Sequence, residues 1–182
     1  MGTVRIFILA ILLGQAGAFA QKEEVIPWHR DYKLTWENFK DTPLRTEWAA
    51  ATTASGISYA FNAKEVNGRM VVKMDINAFF YPQKSWYRPE LCDAMVLAHE
   101  QLHFDISELF ARKMRQKVAG AQFTDNVKAE VKAIYKETLR EMNEFQNQYD
   151  HQTDFSRNKE QQYAWNEKVA QALRSHEQYS GN

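Results

Sequence analysis

Residues 97–109 read LAHEQLHFDISEL and lie at the centre of a long helical pattern. Apolar residues recur at intervals of three and four, which predicts a helix with one buried stripe. The stripe consists of Leu91, Met95, Ala98, Leu102, Ile106 and Leu109. Pro89 suits the first turn of this helix, where its missing N–H costs nothing, and Gly120 suits its end. The pattern therefore predicts a helix between these two residues.

The chain before this helix has the composition of strands and turns. Residues 34–87 are rich in aromatic and β-branched residues, which favour strands. Asn67 and Gly68 suit a tight hairpin turn, because both residues tolerate positive φ. The apolar face of the following strand is formed by Val72, Met74, Ile76 and Ala78, which alternate with polar residues. We therefore predict an antiparallel hairpin with one exposed face.

Two further helical patterns follow. A second helix is predicted to begin near Thr124 or Asp125 and to pack antiparallel on the first. A third, shorter helix is predicted from about Asn158 to Arg174. The fold class is therefore predicted to be α+β, with an N-terminal antiparallel β-sheet followed by a helical hairpin and a shorter C-terminal helix.

The first twenty residues have the pattern of an export signal. Arg5 supplies the positive charge, residues 6–13 form an apolar run, and residues 18–20 read AFA, a small-x-small cleavage site. The run is too short to span a bilayer core of about 30 Å as a helix. We expect residues 1–20 to be a signal peptide that is removed, a periplasmic or secreted protein, and one domain over 21–182. An uncleaved N-terminal anchor is the alternative.

The charge balance and the cysteine content exclude several classes of protein. Lys plus Arg and Asp plus Glu each total 23, so there is no electrostatic case for a nucleic-acid or anionic-membrane partner. Cys92 is the only cysteine, so no intrachain disulfide can form. We expect it to be a buried thiol within the first helix. Stability must come from packing, alone or together with a bound metal.

The helix carries a metal-ligand pattern. His99 and His103 differ by about 40° around the helix axis, so their imidazoles project from one face and can share one ion. Glu100 reaches the same cleft and is expected to transfer a proton from a metal-activated water to the leaving group. His-Glu-x-x-His is the signature of zinc hydrolases, so Zn²⁺ is the expected cofactor. Two histidines at the edge of the core beside a solvated Glu100 are the alternative.

A zinc hydrolase needs a third protein ligand. One class of zinc proteases is excluded, because Ile106 and Leu109 stand where it requires Gly and His. A second class takes a Glu from the next helix, where periodicity does not choose among Glu130, Glu137, Glu141 and Glu144. Residues 149–156 read YDHQTDFS and return to the start of the first helix. From this segment His151 is the first candidate ligand, with Asp150 or Asp154 as alternatives.

Two acidic residues of the first helix point away from His99. Asp105 and Glu108 lie about 240° and 180° around the axis, which makes them poor ligands. Asp105 is expected either to hydrogen-bond to a metal ligand or to lie at the edge of the packed core. Glu108 is expected to pair with Arg112 at i+4.

Six segments carry a family resemblance. They are LTWENF (34–39), AAATTASGISYAF (49–61), SWYRPE (85–90), HEQLHFDISELFARK (99–113), YDHQT (149–153) and QQYAW (161–165). In these segments, from about Trp28 to Trp165, the chain resembles domain of unknown function 922, a family of exported bacterial proteins often labelled predicted secreted zinc-dependent proteases. The resemblance implies a zincin-like domain with zinc on His99 and His103 and with Glu100 as the catalytic acid/base.

One position departs from that family. Its members carry a His two positions beyond the Thr of the YDxxT segment, where this chain has Phe155. If that His is a ligand elsewhere in the family, a neighbour such as His151 or Asp154 would replace it here. We predict an exported zinc-dependent metallopeptidase acting on a peptide or protein substrate. The alternative is a non-catalytic extracytoplasmic metal-binding or protein-binding module whose aromatic-rich sheet is the working surface.

Overall fold

The computed structural model describes residues 24–44 and 49–181. The predicted signal peptide, residues 1–20, lies outside these ranges. In the described part the structure contains five strands and three α-helices, in the order of an antiparallel sheet followed by helices. This order confirms the predicted α+β class. None of the described helices is both long enough and apolar enough to cross a bilayer.

A long hairpin dominates the N-terminal half. Strands β3 (Ser55–Val66) and β4 (Arg69–Phe80) pair antiparallel along their whole lengths, with Ser55 opposite Phe80 and Val66 opposite Arg69. Between them, Asn67 and Gly68 have φ values of 52° and 73°. Positive φ at both central residues matches the twist of a tight hairpin, as the sequence predicted.

The hairpin has one buried face. Ile76, Ala78 and Phe80 are buried at alternate positions of β4, and Ile57 joins them from β3. The residues between them on β4 are more exposed, so the predicted half-exposed strand is confirmed. Strand β1 (Ile26–Pro27) pairs with the other edge of β4 and completes a three-stranded sheet.

A second, smaller sheet lies beside the start of the first helix. Strand β2 (Ala51–Thr52) pairs antiparallel with β5 (Trp86–Tyr87) and with no other strand of the described residues. The backbone N–H of Arg88 extends this pairing by donating to the Ala50 carbonyl at 2.8 Å. This short sheet holds residues 49–53 against the cleft described below.

Helix α1 (Ala94–Gly120) begins five residues later than predicted. Its N-cap is Asp93, whose carboxylate accepts hydrogen bonds from the backbone N–H groups of Met95 and Val96 at 2.9 and 3.0 Å. A cap that satisfies two orphan donors starts a helix more effectively than a proline in the first turn. The predicted start at Pro89 is therefore wrong, and residues 88–91 form a turn instead.

Two residues assigned to the first helix consequently lie before it. Leu91, part of the predicted stripe, is 51% exposed. Cys92 is half-buried, and its thiol donates to the Ala50 carbonyl at 3.3 Å. Burial raises the pKa of the Cys92 thiol, which favours the unreactive protonated form.

Helix α1 is buried on two sides. On one side Phe104 packs with Phe80 of the sheet, at 5.9 Å between ring centroids. On the other side Phe110 contacts Phe145 of α2 (Val127–Thr153) at 5.5 Å. The sequence predicted only one buried stripe, because the pattern of a helix enclosed between a sheet and other helices is less regular than that of a surface helix.

Helices α2 and α3 close the core against α1. Lys117 pairs with Glu141, and His103 with Gln146, so the numbering rises on α1 as it falls on α2. This confirms the predicted antiparallel packing. Helix α3 (Lys159–Ser175) begins after its N-cap Asn158, close to the predicted start, and buries Trp165 beside α2.

Candidate metal centre

His99 and His103 meet on one face of α1. Their Nε2 atoms lie 3.3 Å apart, and the rings are nearly perpendicular, at 84°. His99 is 4% exposed, and the side chain of His103 is 12% exposed. The predicted convergence of the two imidazoles is therefore present, at the boundary between the core and a cleft.

Asp150 completes a group of three ligand atoms. Its Oδ1 lies 3.1 Å from His99 Nε2 and 3.0 Å from His103 Nε2. Asp150 belongs to the last turn of α2, which the antiparallel packing brings beside the first turns of α1. Two imidazole nitrogens and one carboxylate oxygen directed at one point are a donor set that can hold a metal ion.

The other nitrogen of each imidazole has a fixed partner. His99 Nδ1 lies 3.0 Å from Gln162 Oε1, and His103 Nδ1 lies 2.8 Å from Gln146 Oε1. An amide oxygen only accepts hydrogen bonds, so each Nδ1 carries the proton and donates it. In the neutral rings this leaves the Nε2 lone pairs free to bind a metal, which is the arrangement that supports histidine ligands.

Tyr149 packs against the imidazole of His99. Its ring stacks on the His99 imidazole, with 4.5 Å between centroids and an interplanar angle of 22°. Its hydroxyl donates to Gln162 Oε1 at 2.8 Å and approaches the His99 carbonyl at 3.3 Å. Because Tyr149 and Gln162 are both fully buried, the orientation of the His99 ring is set by packing as well as by hydrogen bonds.

The electrostatics of the group favour a positive charge within it. Burial alone would raise the pKa of Asp150, but hydrogen bonds from His103 and His99 outweigh it and hold the pKa well below its usual range. Burial would lower the pKa of His103, but the hydrogen bond to Asp150 and the charge of Glu100 raise it. A divalent cation can replace a proton in such an environment.

The structure does not bring His151 to this group. His151 is exposed on α2, one residue beyond Asp150 and about 100° around the helix. Asp154 is exposed as well, and its carboxylate lies 3.6 Å from the Arg157 guanidinium. Of the three predicted candidates for a third ligand, Asp150 alone lies with His99 and His103.

The glutamates of α2 have other partners. Glu130 accepts from Thr124, Glu141 pairs with Lys117, and Glu137 and Glu144 both pair with Arg140. None of them belongs to the group of metal-ligand atoms in the described residues.

Asp105 and Glu108 of α1, which were predicted to be poor metal ligands, also have other partners. Glu108 forms the expected pair with Arg112 at 2.9 Å, buried rather than on the surface. Asp105 accepts from the Trp28 indole at 2.8 Å and from Gln101 at 2.9 Å, on the side of α1 that faces a second cavity. Its burial raises the pKa of the Asp105 carboxyl.

A cleft of about 490 Å³ opens over the metal group. Glu100, which is 5% exposed, lies in its wall beside His99 and His103, as the sequence predicted. The cleft is also lined by residues 49–53, Arg88, Leu91, Val96, Gln146 and residues 155–157. A metal held by the three ligands would therefore be accessible to a substrate, with a carboxylate close by.

Phe155, the position at which the chain departs from the family resemblance, lies in the wall of this cleft. It is 44% exposed, and its φ of 52° lies between those of Asp154 and Ser156, which are also positive. Three successive non-glycine residues in the left-handed region are unusual and costly. The segment after α2 thus presents an apolar ring to the cleft and supplies no ligand.

The two glutamines behind the histidines were not found by sequence reasoning. Gln146 lies four residues before Asp150, on the same face of α2, so helical spacing could have suggested it. Gln162 stands in the QQYAW segment of α3, whose position relative to α1 depends on tertiary packing.

A family match accompanies this geometry. Residues 12–157 match the family described as a bacterial protein of unknown function (DUF922). This range covers most of the chain, including His99, His103 and Asp150, so the protein belongs to that family. No curated protein and no solved structure matches the chain.

Proposed function

We propose that this protein is an exported zinc-dependent metallopeptidase, with zinc on His99, His103 and Asp150 and with Glu100 as the acid/base. The observation that carries the proposal is the triangle of three ligand atoms, with sides of 3.0, 3.1 and 3.3 Å, beside Glu100 in an open cleft. The expectation of export depends on the signal pattern of residues 1–20.

The dimensions of the triangle support zinc. Bonds of about 2.0–2.1 Å in a tetrahedral site separate neighbouring ligand atoms by about 3.3 Å. The observed separations of 3.0–3.3 Å agree with this value. Three protein ligands with a fourth position facing a cleft are typical of catalytic zinc, whereas structural zinc has four protein ligands.

The residues around the group have distinct roles in hydrolysis. Zinc, when bound, supplies Lewis-acid activation of a water molecule and of the substrate carbonyl. Glu100 accepts a proton from the attacking water and delivers it to the leaving amine. Gln146 and Gln162 keep the protons on the Nδ1 atoms, so that the Nε2 atoms stay directed at the metal position.

The short sheet supports a peptide as the substrate. Strand β2 pairs only with β5 in the described residues, so no described strand occupies its other edge. Residues 49–53, which include β2, line the cleft beside the metal group. An extended peptide can add to such an edge through backbone hydrogen bonds, which places a peptide bond close to the ligands.

The test combines metal analysis with one isosteric substitution. The purified protein and its Glu100→Gln variant are each expected to contain about one zinc per chain, and only the parent is expected to hydrolyse members of a peptide library. Glu144→Gln, the same substitution at an exposed site of α2, is expected to retain hydrolysis. Zinc in both proteins without hydrolysis by either would favour the non-catalytic metal-binding module. Absence of bound zinc would contradict the proposal.

A further inference from the structure

Arg88 is a cation in the metal cleft that has no anionic partner among residues 24–44 and 49–181. It lines the cleft together with His99, Glu100 and Asp150. Among the described residues, no carboxylate forms an ion pair with its guanidinium, and its Nε is a buried nitrogen without a hydrogen-bond partner. Its Nη2 donates a hydrogen bond to the carbonyl of Ala49. An unpaired charged donor in a partly buried site is costly unless a ligand completes it.

The position of Arg88 is fixed by its surroundings. It follows β5 directly, and its backbone N–H donates to the Ala50 carbonyl at 2.8 Å. Pro89 restricts its backbone to extended conformations. The hydrogen bond to Ala49 holds the guanidinium against the strand that edges the cleft. An arginine held in this way binds an anion with little loss of side-chain entropy.

The carboxylates already in the cleft do not neutralise this charge. Asp150 Oδ1 lies 3.1 and 3.0 Å from the Nε2 atoms of His99 and His103 and so belongs to the candidate metal group. Glu100 is the proposed acid/base and forms no ion pair with Arg88. Within the described part of the chain, no carboxylate therefore competes with an anion that enters the cleft from outside.

We propose that Arg88 binds a carboxylate of the substrate, so that the cleft prefers acidic peptides. This inference rests on the proposed peptidase function and adds a substrate class to it. A guanidinium matches a carboxylate in geometry and binds it through charge-assisted hydrogen bonds. The carboxylate comes either from an acidic side chain or from the C-terminus of the peptide. Leu91 and Phe155, which are exposed in the same cleft, offer apolar contacts to the neighbouring side chains.

Peptide binding is measured with zinc-loaded Glu100→Gln protein, so that the result does not depend on turnover. The probes are acetylated hexapeptides of alanine and phenylalanine in which one glutamate occupies each position in turn. Each is compared with its glutamine counterpart, and each is made with a free and with an amidated C-terminus. Isothermal titration calorimetry is expected to show that a carboxylate at one position tightens binding by about tenfold or more. The four arms distinguish a side-chain carboxylate from a C-terminal one.

The preference is expected to depend on Arg88. Arg88→Gln should abolish the preference for acidic peptides. Arg88→Lys retains the charge but not the planar guanidinium that can bind both carboxylate oxygens, and it should retain a reduced preference. Arg140→Gln removes the same charge from the exposed face of α2 and should leave the preference unchanged. Zinc content and thermal unfolding identify a variant that fails to fold, in which case Arg88→Lys provides the comparison.

Two results would overturn the inference. One is equal binding of acidic and neutral peptides by the Glu100→Gln protein. The other is an undiminished preference in Arg88→Gln or in Arg88→Lys. A preference that requires Arg88, in a protein whose parent hydrolyses no peptide, would support the carboxylate site and contradict the peptidase function, so the two failures are distinguishable.

Discussion

His103 and Gln146 are joined between α1 and α2 by a 2.8 Å hydrogen bond from the imidazole Nδ1 to the amide Oε1. Gln146 lies one helical turn before Asp150, so the same face of α2 supplies both a proposed metal ligand and the group that orients another proposed ligand. The packing of α1 on α2 therefore assembles the site. Small shifts between these helices would change the separations of all three ligand atoms.

Gln146→Leu is expected to weaken zinc binding about 10- to 100-fold, because the His103 ring loses the acceptor that fixes its tautomer and orientation. The affinity is measured by competition with a chelator. Gln148→Leu, the same substitution at an exposed position of α2, serves as the control and should bind zinc as the parent does. Equal losses in the two variants would mean that the hydrogen bond has no role in zinc binding.

Asp150→Asn is expected to lower the zinc affinity by more than about tenfold, because asparagine keeps the shape of the side chain but loses the anionic donor. His151→Asn changes the adjacent residue, which is exposed, and should retain one zinc per chain. The zinc content of the two variants is compared after dialysis against a weak chelator. Zinc loss in His151→Asn with retention in Asp150→Asn would show that His151 is the third ligand.

The third proposed ligand could not be identified from the sequence alone. His99 and His103 could be paired from the sequence, because helical geometry alone fixes residues four apart on one face. Asp150 could not be separated from His151, because the two differ by about 100° on α2 and the rotation of α2 against α1 decides between them. That rotation depends on buried contacts such as the stacking of Tyr149 on His99, which no local pattern encodes.

The fold also has features that could be predicted from the sequence and features that could not. The hairpin turn at Asn67 and Gly68 was predictable, because it depends on the backbone preferences of two adjacent residues. The second buried side of α1 was not, because it includes charged residues. Glu108 is 3% exposed and Arg112 is 2% exposed, and they can be buried because each is the partner of the other.

Arg112→Ala is expected to destabilise the protein by about 3 kcal/mol, because the substitution leaves Glu108 buried with Arg115 as its remaining ion-pair partner. It also removes the hydrogen bond to the Leu173 carbonyl at 2.7 Å. In a protein of this size the loss corresponds to a decrease in Tm of roughly 6–12 °C, measured by calorimetry.

The control for this prediction is Arg140→Ala. Arg112 pairs with Glu108 and Glu177, and Arg140 likewise pairs with two carboxylates, but the Arg140 side chain is 55% exposed. Exposed pairs contribute little to stability, so the Tm of this variant should stay close to that of the parent. A similar decrease in both variants would contradict the view that burial makes the Arg112 pairs important.

Asp93→Ala is expected to destabilise the protein by about 1 kcal/mol, because the N–H groups of Met95 and Val96 lose their cap. The matched control is Asp125→Ala. Asp125 also precedes a helix, but the N-cap there is Asn126, so the Asp125 substitution removes no N-cap residue and is expected to lose only the favourable interaction of its charge with the helix dipole. Thermal unfolding should show a decrease in Tm of roughly 2–4 °C for Asp93→Ala and a smaller one for Asp125→Ala. Equal decreases would mean that the hydrogen bonds of Asp93 do not set the start of α1, and the helix that carries His99 would then be held by packing alone.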